Sequence, residues 1–111
     1  MVLLPAWLVV LLHVLFGLAE TVGWSEMARR FGYDASSTEV TRTLALNQGA
    51  YNIGLAGVLA WTLATGHTDS TIALLVFVIA MAAVGAATAS RAIFLVQGVP
   101  ALCALAALTL Y

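Results

Sequence analysis

Lysine is absent from this sequence, and its four basic residues are all arginines: Arg29, Arg30, Arg42 and Arg91. With a net charge of −1 and no basic stripe, the chain lacks the electrostatic footprint that nucleic-acid binding requires. Cysteine is nearly absent too. The lone Cys103 lies in the last apolar run, where it has no partner for an intrachain disulfide and no companions for a metal cluster. There is no P-loop, no glycine-rich dinucleotide fingerprint and no paired ligand set, so neither a cofactor nor a metal is expected. Charge as a whole is scarce, at 8% of 111 residues against 63% hydrophobic. A soluble domain of this length has too much surface for its volume to hide so much apolar side chain. The expected solvent is lipid.

Each membrane-spanning helix needs about 20 mainly apolar residues to cross a hydrocarbon core of about 30 Å. Four such helices fit the chain as one transmembrane domain, 1–111, and an all-α four-helix bundle is the expected fold class. The apolar runs and their punctuation place the helices at about 3–24, 38–65, 70–89 and 92–110. Pro5 is tolerated in the first turn of the first helix. Ser37 or Thr38 is the expected cap of the second helix, Gly66 its stop, and Asp69 or Ser70 the cap of the third. The last boundary, near Ser90 and Arg91, has neither glycine nor proline to mark it, since AATASRAIF contains no breaker.

An apolar run ending at Gly17, Leu18 and Ala19 imitates a secretory signal, but MVLLPAW supplies no positive side chain ahead of it, so the first helix is expected to stay. Arginine placement gives an orientation. With four spans, Arg29, Arg30, Arg42 and Arg91 fall on one side, and the intervening turn GHTDS carries no lysine or arginine. The positive-inside rule puts the arginine-bearing connections in the cytoplasm and both termini outside. In the third helix, AMAAVGAATAS sets Ala82 with Ala86 and Gly85 with Ala89 at the small-xxx-small spacing that lets helix backbones approach closely in lipid. Packing within the bundle is the plainer use of that face, and a homodimer seam through helix three is the alternative.

Against this apolar background a few polar side chains stand out. His13 and Glu20 are seven residues apart, nearly on one helix face, with Trp24 a further turn along. NQGAYN places Asn47 with Tyr51 and Gln48 with Asn52, each four apart, as one polar stripe on the second helix. Gln97 adds an amide from the fourth. At about 1.5 Å per residue, Asn47 lies roughly 7 Å inward of Arg42, Asn52 roughly 15 Å, and Gln97 roughly 9 Å inward of Arg91. Asn, Gln and Tyr in membrane helices often only hydrogen-bond to neighbouring helices, typically contributing about 0.6 kcal/mol each. Glu20 is harder to dismiss, because an acid inside hydrocarbon costs about 2.5–3.5 kcal/mol on insertion scales and tends to mark a pathway or a site. Trp24 and Trp61 also read as interfacial anchors.

The segments HVLFGLAETVGW, TRTLALNQGAYNIGLAGVLAW and FLVQGVPALCAL together resemble the signatures of the membrane family catalogued as domain of unknown function 1304. The resemblance runs over nearly the whole chain and falls on His13, Glu20, Trp24, Asn47, Gln48, Gly49, Tyr51, Asn52, Gln97, Gly98 and Pro100. It implies a small bacterial four-helix protein of the inner membrane and no established activity.

Two classes of function fit the residues. In the first, the chain is an integral-membrane enzyme acting on a lipophilic small molecule such as an isoprenoid, as a cofactor-independent isomerase or cyclase. Glu20, kept protonated, is the general acid, with His13 or Asn47 orienting it or taking a proton back. Tyr51, Trp24 and Trp61 stabilise a developing carbocation through their ring faces, and Gln48, Asn52 and Gln97 hold the polar end of the substrate. In the second, it is a small proton-coupled transporter subunit, with Glu20 as the coupling carboxyl, or a non-catalytic lipid-binding protein.

Overall fold

A computed structural model describes residues 1–111. The chain is all-helical, with α1 at Leu4–Glu20, α2 at Trp24–Arg30, α3 at Ala35–Thr65, α4 at Thr68–Thr88 and α5 at Arg91–Leu110. Residues 94–98 of α5 form a π-helical turn. Contacts divide the chain into two units, residues 13–56 and residues 1–12 with 57–111.

α4 and α5 have 21 and 20 residues and are long and apolar enough to cross a membrane. α1 and α2 pass the same test only as a pair bent by 92°, which makes the number of candidate spans two, or three with that pair as one. α3 has 31 residues, about 46 Å of helix. Length is therefore not what keeps it out of this set; its first 18 residues carry Glu39, Arg42, Asn47, Gln48 and Asn52.

The unit of residues 13–56 departs from the expected helix layout at its first bend. α1 stops at Glu20 rather than running to position 24, and residues 21–23 form a turn. The Thr21 hydroxyl donates back to the Gly17 carbonyl at 2.7 Å, Gly23 follows, and Trp24 opens α2. α2 ends at Arg30, and Gly32 two residues on turns the chain away, its φ of +82° being a left-handed conformation open to glycine at little cost. The Gly32 amide donates to Arg29 and the Tyr33 amide to Ala28, which satisfies carbonyls left over at the helix end. α3 begins at Ala35, three residues earlier than expected, because Asp34 is the cap: its Oδ1 accepts from the Ser37 amide at 2.7 Å. Thr38, one of the two expected caps, instead donates its hydroxyl to the Asp34 carbonyl at 2.8 Å.

Trp24 is buried with Ala28 and Ala45 in a small core that Met27 flanks. Its indole Nε1 donates to the Thr41 hydroxyl at 3.2 Å and reaches the Thr38 carbonyl at 3.3 Å. The rings of Phe31 and Tyr33 pack beside it, with centroids at 6.5 and 6.0 Å. Trp24 thereby ties α2 to the start of α3.

In the other unit, Gly66 at φ +73° ends α3, with the Gly66 and His67 amides returning to the Leu63 and Thr62 carbonyls. α4 then starts at Thr68 with His67 at the capping position and no side-chain cap, so neither Asp69 nor Ser70 takes that role. Ser90 adopts an extended conformation and its hydroxyl accepts from the Ala92 amide at 3.2 Å, which starts α5. α4 and α5 pack together. Ala82 is fully buried, and Gly85 lies so close to Ile93 that an added Cβ would sit 2.7 Å from Ile93 Cγ2. Two of the small residues of α4 are thus used inside the chain, while Ala89 is exposed.

Pro100 gives a physical reason for the π-turn. A proline within a helix cannot donate to the carbonyl four residues back, and its ring crowds that carbonyl. Widening the turn just ahead of it, so that Val99 donates to Phe94 five residues back, relieves the conflict.

Candidate functional site

The site is built where α1 and α3 touch. Gly17 and Gly49 face each other so closely that a Cβ on either would fall 2.8 Å from the other's carbonyl oxygen. A Cβ on Gly17 would also collide with Ile53, and one on Gly49 would sit 2.6 Å from Thr21 Cγ2 and 3.1 Å from Glu20 Cβ. Side-chain-free positions on both helices are what permit this approach. Glu20 lies three residues beyond Gly17 and Asn52 three beyond Gly49, so the same contact brings their side chains together. Asn52 Nδ2 donates to Glu20 Oε1 at 2.5 Å.

This pair is half-buried. Glu20 makes no ion pair; Arg42 is engaged instead with Glu39 at 2.9 Å and with the Ser25 hydroxyl at 3.0 Å. One Glu20 oxygen therefore meets an amide N–H, and the other oxygen remains for a proton or a ligand. A neutral hydrogen-bonding partner, unlike a guanidinium, does not lock a carboxyl in its charged form.

The remaining expected residues are distributed differently from a closed pocket. His13 is buried on α1, its ring edge-on to Phe16 with centroids 5.5 Å apart. Asn47, Gln48 and Tyr51 are exposed, Tyr51 at 78%, so the NQGAYN stripe turns only Gly49 and Asn52 toward α1. Gln48 is one turn before Asn52 and continues the polar line outward. Trp24 is removed from Glu20's face by the bend at 21–23 and belongs to the small core of α2 and α3. Its ring is only 9% exposed and offers little surface to a substrate. Trp61 and Gln97 belong to the other unit. Trp61 is exposed and stacks on His67 at 5.0 Å, and Gln97 is half-buried on the π-helical turn.

Three features were not anticipated from the sequence. They are the Gly17–Gly49 contact, the pairing of Glu20 with Asn52 in particular, and the π-turn beneath Gln97. The first had a usable signal, since Gly17 precedes Thr21 and Glu20 as Gly49 precedes Asn52, and single glycines in apolar helices mark close approach.

Comparison with known proteins agrees in coverage with this layout. The sequence model of the family described as "Protein of unknown function (DUF1304)" matches residues 7–109, which include every residue of the site. No curated protein and no solved structure matches the chain.

Proposed function

Because the chain belongs to the DUF1304 family, which carries no assigned activity, we propose a function from the chemistry of the Glu20–Asn52 pair. The protein is an integral-membrane protein of four spans in the bacterial inner membrane, with its arginine-bearing connections cytoplasmic and both termini outside. Its polar intramembrane site takes a lipophilic small molecule of isoprenoid type, and Glu20 exchanges a proton with it in a cofactor-independent isomerisation or cyclisation. Asn52 fixes the carboxyl, Gln48 and Asn47 receive the polar end of the substrate, and Tyr51 presents a ring face to developing positive charge. His13 holds the α1 face leading to Glu20.

The observation that carries this reading is a half-buried carboxyl bound to a neutral amide, with no cation on it, at a glycine-glycine helix contact. An acid kept in such a place at the cost of insertion suits proton transfer better than packing. Exposure of Asn47, Gln48 and Tyr51 favours a second reading, a proton-coupled transporter subunit or lipid-binding protein whose polar stripe meets its cargo or a partner directly.

The test is to purify the wild-type chain with the Glu20→Gln and Asn47→Leu variants and identify the co-purifying lipophilic compounds by mass spectrometry. A defined compound that wild type carries and both folded variants lose supports the site. Its conversion by the detergent-solubilised protein selects the enzyme, and its binding without conversion selects the second reading. Folded variants that retain the same bound material would dismiss the site altogether.

A further inference from the structure

α2 leaves α1 at an angle of 92°. α1 has 17 residues and rises about 25 Å, close to the thickness of a hydrocarbon core of about 30 Å. With α1 crossing the membrane, the part of the proposed function on which this inference rests, α2 starts near the boundary of the hydrocarbon and runs along it. Leu15, Leu18 and Val22 are exposed at helical spacing and carry an apolar outer side of α1 down to the turn.

α3 sets the same level independently. Arg42 is the last charged residue along it, and its guanidinium donates to the Ser25 hydroxyl in the first turn of α2 at 3.0 Å. The Trp24 indole bonds within a turn of Arg42, to the Thr41 hydroxyl and the Thr38 carbonyl. A guanidinium that stays at the headgroups to avoid the cost of hydrocarbon therefore holds α2 and the Trp24 ring at that depth as well.

Two further rings rest on Trp24. The centroids of Phe31 and Tyr33 lie 6.5 and 6.0 Å from it and 6.4 Å from each other. Trp24 is spent inside the chain, whereas Phe31 is 62% and Tyr33 42% exposed. Together they present an apolar body and a phenolic tip, the combination that settles where hydrocarbon meets headgroups. Charge around them balances. Arg29 and Arg30 pair with Glu26, Arg42 pairs with Glu39, and with Asp34 the stretch from Trp24 to Arg42 holds three positive and three negative side chains. Such a segment has no net attraction to an anionic surface.

We infer that Phe31 and Tyr33, packed on Trp24, are an aromatic anchor that inserts at the headgroup–acyl boundary of the bilayer and holds α2 flat against it. The partner is the lipid surface itself, bound through ring area and equally well whether its headgroups are neutral or anionic.

Spin-label depth measurements on the full chain in phosphatidylcholine bilayers test this. Cys103→Ser removes the exposed native thiol, and Phe31→Cys and Tyr33→Cys carry the label in turn. Leu11→Cys, nine residues or about 14 Å before Glu20 on α1, is the deep reference, and exposed Ser36→Cys is the aqueous one. The labels at 31 and 33 should fall between the references, within about 5–10 Å of the headgroups by their relative accessibility to oxygen and to a water-soluble nickel chelate. Adding phosphatidylglycerol should leave that depth unchanged. If a ring variant loses helix by circular dichroism, Val22→Cys, 86% exposed in the bend, reports the same boundary. Labels as nickel-accessible as Ser36→Cys, labels as shielded as Leu11→Cys, or a depth that follows anionic lipid would each overturn the anchor while α1 remained a span. A Leu11→Cys label in water would instead remove the span, and the anchor with it.

Discussion

Placing a single methyl group on Gly49 tests the helix contact on which the site depends. In α3, Gly49→Ala gains helix propensity of about 1 kcal/mol, as any exposed Gly→Ala change in a helix does. Against that gain, the new Cβ would lie 2.8 Å from the Gly17 oxygen and 2.6 Å from Thr21 Cγ2. The first of these is backbone and cannot rotate away, so α1 and α3 must separate, and overpacking of this kind costs about 1–3 kcal/mol. The net change is a loss of about 0–2 kcal/mol. Gly54→Ala is the control, because a Cβ there meets nothing within 4 Å, and it should stabilise by the propensity term alone. Subtracting the two cancels propensity and leaves overpacking, a gap of about 1–3 kcal/mol, or about 5- to 150-fold in the folding equilibrium. Unfolding in mixed micelles with increasing SDS, followed by tryptophan fluorescence, measures the difference. Gly17→Ala forces the same separation from the other side, so the double variant should cost less than the sum of the singles. If Gly49→Ala proved as stable as Gly54→Ala, or the double variant were additive, the close contact and the site geometry built on it would be wrong.

Trp24→Phe keeps most of the ring and loses the indole donor to Thr41 and Thr38, for a destabilisation of about 0.5–1.5 kcal/mol. Trp24→Ala also empties the small core and should cost about 3–5 kcal/mol, both read in the same SDS titration. Asp34 is held below the usual carboxylate range, chiefly by the Ser37 backbone amide at the start of α3. A depressed folded value means that its capping contribution is present above the ordinary aspartate range and lost as pH falls through the folded value. Helicity measured by circular dichroism on acidification should fall in wild type over that window. Asp34→Asn, which caps without titrating, should remove this component, and an unchanged acid profile would refute it. At Gly66, φ +73° makes Ala costly by about 1–2 kcal/mol and Asn less so, a ranking that thermal unfolding in detergent can check.

The all-α class was legible from composition alone, because 63% apolar residues in runs of helical length admit little else. The stop at Gly66 was legible too, because a left-handed glycine decides it locally, whereas the break near Ser90 had no glycine or proline to mark it and is made by a serine cap that the sequence did not single out. The bend after Glu20 was not legible. Thr21, Val22 and Gly23 form no strong breaker, and the turn is held by a threonine bond back to Gly17 together with the anchoring of Trp24 fourteen and seventeen residues away. At the candidate site, helical spacing correctly groups Gln48 with Asn52 and Asn47 with Tyr51 on neighbouring lines of α3. It cannot say which line faces α1. That is decided by Gly49, since the residue that permits closest approach sets the inward direction and leaves Asn47 and Tyr51 outside.

The π-turn of residues 94–98 has a consequence for how this chain tolerates change in length. A π-turn takes up one extra residue by closing on the carbonyl five back instead of four, so the helix on either side keeps nearly the phase of an uninterrupted α-helix. Deleting a single residue there would let the turn close into regular α form and leave Ile93 against Gly85. The same deletion in a regular α-helical stretch would rotate everything beyond it by about 100°. The widened turn is therefore the place in α5 where a change of one residue in length is absorbed and not passed on as a twist.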